Sequence, residues 1–156
     1  MSRFPYQQLF NSLLTPLVQL EQQLQQCSQA HPQLSFPLLE LVRYRVSSLN
    51  GCAFCIDMHS KEARHHGESE QRLYGTQVWR DTPYYSAQEC AALEWAEALT
   101  LTEGRVDDET YQRVAAHFPG ESLVHLSLAI TAINSWNRLE RAFKSPVGGY
   151  QVGSLG

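Results

Sequence analysis

Apolar residues recur every three or four positions along most of this chain, and no stretch alternates apolar and polar in the manner of a strand. From about Tyr6 to Gln26 the repeat is Leu9, Leu13, Leu17, Leu20 and Leu24, with Pro16 placed to split or kink the run. His31-Pro32 and Phe36-Pro37 bracket a loop, and Pro37 suits a first helical turn. Leu38, Leu41, Val42, Val46 and Leu49 form the next stripe, which Asn50-Gly51 ends.

A helix follows from Cys52 to His66, stopped by Gly67, with His65 and His66 where the helix dipole favours positive charge. Ser69 caps a short helix through Val78. Ser86 and Glu89 form a capping box that opens a helix to about Leu101. Asp107 starts another, with Tyr111, Val114 and Phe118 on one face and Pro119-Gly120 at its end. Leu123, Leu126, Ile130, Ile133 and Trp136 or Asn137 mark a last helix to about Lys144. The pattern predicts an all-α bundle of about six to eight helices. It reads as one domain over residues 1–156, with a helical extension over 1–33 and a loose tail over 145–156.

Composition narrows the function classes. With 43% hydrophobic and 18% charged residues and a net charge of −4, the chain lacks the basic footprint of a nucleic-acid binder. The longest apolar segments fall short of a membrane span, and the N-terminus lacks the uninterrupted apolar region of a signal peptide. A cytoplasmic, reducing location is therefore expected. There, the four cysteines would not serve as structural disulfides. Cys27 and Cys90 have no polar partner nearby in sequence and read as core filling.

Cys52 and Cys55 are different. If Cys52 opens its helix, Cys52, Cys55 and His59 fall within an arc of about 60°. His59 lies one turn beyond Cys55, and the helix start favours thiolate over thiol. Three uses compete: a dithiol redox site, a zinc site completed by His65, His66 or Glu40, and plain core packing. The dithiol reading is preferred, because no second CxxC or spaced ligand pair supports zinc. Glu40 lies nearly level with His59 if the two helices pair across Asn50-Gly51, and a carboxylate there would fix the imidazole tautomer. Helical phase, however, sets Glu40 with Arg43 and Ser47 on a polar face, which reads as solvated.

The run Arg45-Val-Ser47-Ser-Leu-Asn50-Gly51-Cys52-Ala-Phe-Cys55-Ile-Asp-Met-His59 resembles the core motif of alkylhydroperoxidase D-like (AhpD-like) proteins. These belong to the carboxymuconolactone decarboxylase-like superfamily. Leu93-Glu-Trp95-Ala-Glu97-Ala-Leu-Thr100 and Asn134-Ser-Trp136-Asn137-Arg138 are similar to further segments, so the likeness spans about Leu38 to Arg138.

The resemblance implies an all-α, oligomeric protein (a homotrimer or homohexamer) that reduces a hydroperoxide with its cysteine pair and is recycled by an external dithiol donor. It implies that Cys55 is oxidised to a sulfenic acid, that Cys52 donates a proton and resolves it, and that His59 and Glu40 relay protons. No cofactor and no resident metal enter that reading. The best-known member has a histidine between its cysteines and a lipoyl-carrying donor; this chain has Ala53-Phe54, and that donor is not carried over. Decarboxylases proper lack the cysteine pair, so their activity is not carried over either.

Overall fold

The computed structural model describes residues 3–101 and 103–154. Among these it holds seven α-helices and no strand: α1 (Thr15–Ser28), α2 (Phe36–Asn50), α3 (Ala53–His65), α4 (Glu70–Gly75), α5 (Ala87–Leu101), α6 (Asp108–Ala115) and α7 (Glu121–Phe143). Short 3-10 turns cover Tyr6–Leu9, Pro32–Leu34 and Thr76–Asp81. None of the helices among the described residues is long and apolar enough to cross a membrane.

Local signals set most of the boundaries. Ser35 caps α2 by accepting the Leu38 N–H, and Pro37 sits in its first turn. Gly51 closes α2 in the left-handed conformation at φ 64°, where its N–H reaches the carbonyls of Ser47 and Ser48. Ser86 and Glu89 form the reciprocal capping box, with bonds of 3.2 and 2.7 Å. Asp107 caps α6 through the Thr110 N–H at 2.8 Å.

The centre of the molecule is α2, which packs against α3, α5 and α7. All ten residues from Leu38 to Ser47 are buried. One face of α2 (Leu39, Val42, Val46) joins a core with α5 and α7, including Leu126, Ile130 and Ile133. The opposite face (Leu41, Tyr44) joins a second core with Ala63, Leu73, Trp79 and Leu93. Each such aliphatic side chain contributes about 1.5–3 kcal/mol by leaving water. A helix enclosed on all sides must also bury its polar stripe, so Glu40 and Ser47 are 3% and 0% exposed. That corrects the solvated reading of Glu40.

The run from Tyr6 to Gln26 is split at Pro16 as expected: α1 starts at Thr15 with Pro16 in its first turn, and Leu13 is exposed. Three further expectations are revised. Tyr111 is exposed while Val114 and Phe118 are fully buried, because a short helix can bury only a narrow stripe. Cys27 is exposed and fills no core, since α1 buries only Leu24. Cys90 is half-buried at the edge of the second core.

The third concerns residues 145–154, which are no loose extension; the last two positions of the expected tail lie outside the described residues. Lys61 donates to the carbonyls of Gly148 (3.1 Å) and Tyr150 (3.2 Å). The Gly148 N–H donates to Asp57 at 3.2 Å. The Tyr150 hydroxyl and the Gly153 N–H both donate to Glu62 Oε1, at 2.5 and 2.8 Å. The Tyr150 side chain is thereby buried against α3, edge-on to Phe54.

Candidate active site

The turn at Gly51 delivers the chain directly into α3, with Cys52 as its N-cap in an extended conformation. The Cys52 sulfur accepts the Cys55 N–H at 3.3 Å, taking the place a serine or aspartate oxygen holds at most caps. The two sulfurs are joined as a disulfide, with Cα atoms 5.3 Å apart. Both cysteines are 1% exposed. The pair therefore sits at the amino end of a helix, where unpaired N–H groups and the dipole favour a negative sulfur once the bond is reduced.

His59 follows Cys55 by one turn on the same face and is buried. Its Nδ1 lies 2.8 Å from Glu40 Oε2, across the α2–α3 hairpin. Glu40 Oε1 accepts from Arg43 Nη1 at 2.8 Å, and Arg43 Nη2 donates to Glu21 Oε2 at 3.0 Å. Glu21 Oε1 in turn accepts the Trp136 indole N–H at 3.1 Å.

Electrostatics fixes the proton positions. Burial acts to raise the Glu40 pKa, but His59 and Arg43 outweigh it and hold the carboxyl at about 2, from an ordinary 4.5. Glu40 is thus an ionised acceptor, so the hydrogen of this contact lies on His59 Nδ1. Nε2, which carries the lone pair whenever the ring is uncharged, is a buried atom with no hydrogen-bond partner among the described residues. The arrangement leaves a ring nitrogen oriented by a carboxylate one turn along α3 from a cysteine pair.

Of the four residues expected from sequence, Glu40 and His59 are bonded across the hairpin, and Cys52 and Cys55 are bonded to each other at the start of the helix that carries His59. The zinc ligand set does not form: His65 and His66 are exposed at the far end of α3, and the described residues hold no group of three such side chains that could bind a metal. Sequence reading missed roles for Arg43, Glu21 and Tyr150. Arg43 was detectable, since a cation three residues from Glu40 on one helix face is a neighbour. Glu21 and Tyr150 reach the site from distant segments and leave no local signal.

The Carboxymuconolactone decarboxylase family model matches residues 19–98. An uncharacterised protein of Bacillus subtilis, YdfG, is 52% identical over 104 residues, 66% of this chain and 71% of its own length. An uncharacterised protein of Escherichia coli, YnjA, is 35% identical over 109 residues, 70% of this chain and 60% of its own length. The crystal structure of an Agrobacterium tumefaciens protein of unknown function, provisionally described as an antioxidant defence protein AhpD, superposes with a TM-score of 0.86 at 36% identity. That match covers 96% of this chain and all of the other. The debrominase Bmp8 shares the fold at a TM-score of 0.69 and 21% identity, over 81% of this chain and 68% of its own. Helical architecture, the capped cysteine pair and these matches together place the chain in the carboxymuconolactone decarboxylase family, as an AhpD-like protein.

Proposed function

We propose that this protein is a cysteine-based hydroperoxide reductase. The observation that carries the reading is the cysteine pair at the start of α3 with the Glu40-oriented base of His59 one turn away. In the reduced protein, His59 Nε2 takes the proton of Cys55, and the thiolate attacks one peroxide oxygen. The O–O bond breaks, oxygen transfers to sulfur, and the leaving alkoxide takes the proton back from His59 to depart as an alcohol. Cys55 is left as a sulfenic acid. The Cys52 sulfur displaces its hydroxyl, water leaves, and the disulfide forms. An external dithiol then reduces the disulfide by exchange and is itself oxidised.

Cys52 is the natural resolving sulfur because it is the cap: it already faces the Cys55 backbone. A cytoplasmic setting, where dithiol donors are maintained, goes with this reading. So does a homotrimeric or homohexameric assembly, which light scattering on the purified protein would measure.

The test is sulfenic acid trapping. In Cys52→Ser, peroxide treatment should place a dimedone adduct on the Cys55 peptide. Cys55→Ser should consume no peroxide with a dithiol donor present. Full turnover by Cys55→Ser would overturn the reading. A second reading, thiol–disulfide exchange without peroxide turnover, rests on the same Cys52–Cys55 disulfide. It would show as reversible oxidation by disulfides with no sustained peroxide loss.

A further inference from the structure

Four ionisable groups form one chain of contacts from α1 to α3: Glu21, Arg43, Glu40 and His59. Arg43 is 9% exposed and cannot shed its charge, so it must be balanced by carboxylates. It has two, each bonded to a different terminal nitrogen. Trp136 fixes the far oxygen of Glu21 and so holds that carboxylate against Arg43.

The charge count gives this arrangement a consequence. Two carboxylates and one guanidinium sum to −1 while His59 is neutral. A proton on His59 would bring the sum to zero, the balanced state for a buried cluster. Without Glu21 the same proton would leave the sum at +1. Arg43 would also draw Glu40 to itself and away from the imidazole. Other titratable groups face the cluster. His125 on α7 lies within electrostatic reach of Arg43, and burial holds it toward the neutral form. Its ring meets that of His31 at 5.9 Å between centroids. Tyr150 lies within reach of Glu40 and is pushed up to about 12, chiefly by burial, which keeps it neutral. Neither His125 nor Tyr150 changes the count near neutral pH.

We infer that Glu21, on the helix before the cysteine motif, is a positioning residue for the redox site: by neutralising Arg43 it reserves Glu40 for His59. The inference deepens the proposed peroxidase reading and rests on its assignment of His59 as the base. It extends the site to α1, which sequence reading treated as an extension of the domain.

The test needs no peroxide, so it can fail independently of sulfenic acid trapping. In a Cys52→Ser background, the pH profile of Cys55 alkylation by iodoacetamide is followed by peptide mass, which separates Cys55 from Cys27 and Cys90. Glu21→Gln should move the midpoint up by about one pH unit, slowing alkylation at neutral pH roughly tenfold. Arg43→Gln should move it down. The double variant Glu21→Gln/Arg43→Gln restores the sum to −1 and should return the midpoint toward that of the parent. A purely structural role predicts that the double variant is worse than either single one. A profile unmoved by Glu21→Gln, or a double variant no nearer the parent, overturns the inference. If Glu21→Gln does not fold, the downward shift of Arg43→Gln and its reversal in the double variant decide the matter alone.

Discussion

His59 Nδ1 meets Glu40 Oε2 at 2.8 Å although nineteen positions separate the two residues, because the turn at Gly51 folds α3 back along α2. Both side chains are buried, so neither can exchange its partner for water. Breaking such a pair from one side leaves the other group unsatisfied. Glu40→Ala should destabilise the protein by about 3–5 kcal/mol, since Arg43 and His59 both lose an acceptor. Chemical denaturation at neutral pH measures this, and Glu40→Gln should cost less.

The same carboxylate makes stability depend on acid. The folded pKa of Glu40 lies below its ordinary value, so its contribution is full above 4.5 and is lost as pH falls from there through about 2. Thermal melts across that window should show the advantage of the parent over Glu40→Gln shrinking as pH falls. An advantage constant across the window would mean the carboxylate carries no such linkage.

The cap on α3 should be separable from the disulfide. Under reducing conditions no disulfide contributes, and Cys52 acts through its contact with the Cys55 N–H. Cys52→Ser keeps a capping atom, whereas Cys52→Ala removes it. The alanine variant should be less stable than the serine variant by about 1 kcal/mol. For a chain of this size that is a melting difference of roughly 2–4 °C.

Much of the fold is legible in the sequence because its signals are local. The capping box at Ser86 and Glu89 and the stop at Gly51 each need only a few adjacent residues, and both form as expected. That Cys52, Cys55 and His59 share one stretch of α3 is legible in their spacing, and that Glu40 lies level with His59 follows from the hairpin turn at Asn50-Gly51. Whether the polar stripe of α2 meets water was not legible. Helical phase tells which residues share a face, but what covers that face depends on α1, α3 and α7. The same limit hides Glu21, which meets Arg43 twenty-two positions away. Glycines in the last segment reveal backbone freedom, not that Lys61, Asp57 and Glu62 hold it in place.

A second buried ion cluster sits away from the cysteines. Glu97 accepts from Arg45 Nη2 (2.8 Å), Arg80 Nη1 (2.6 Å) and the Trp79 indole (2.8 Å). Burial acts to raise its pKa, and the hydrogen bonds from Arg80, Trp79 and Arg45 more than reverse this. Glu97→Ala would leave the Arg45 guanidinium, which is 8% exposed, without a carboxylate and with only Gln77 among the described residues to accept from it, and should cost about 3–5 kcal/mol. Because no Glu97 contact reaches the cysteine site, Glu97→Gln should leave the alkylation profile of Cys55 in place while lowering the melting temperature.

The docked segment after α7 should govern access to the disulfide. Tyr150 lies edge-on to Phe54, between the two cysteines in sequence, and is tied to Glu62. Tyr150→Ala should make reduction by a phosphine reagent faster without changing helix content by circular dichroism. An unchanged reduction rate would assign the burial of the sulfurs to the helices alone.

The sulfur that caps α3 gives the molecule a built-in reporter. A thiolate accepts a hydrogen bond far more strongly than a disulfide sulfur does, so reduction of the Cys52–Cys55 bond would alter the electron density drawn from one backbone N–H. The nuclear resonance of the Cys55 amide should therefore move with oxidation state and can serve as an internal redox gauge, free of any added dye or tag.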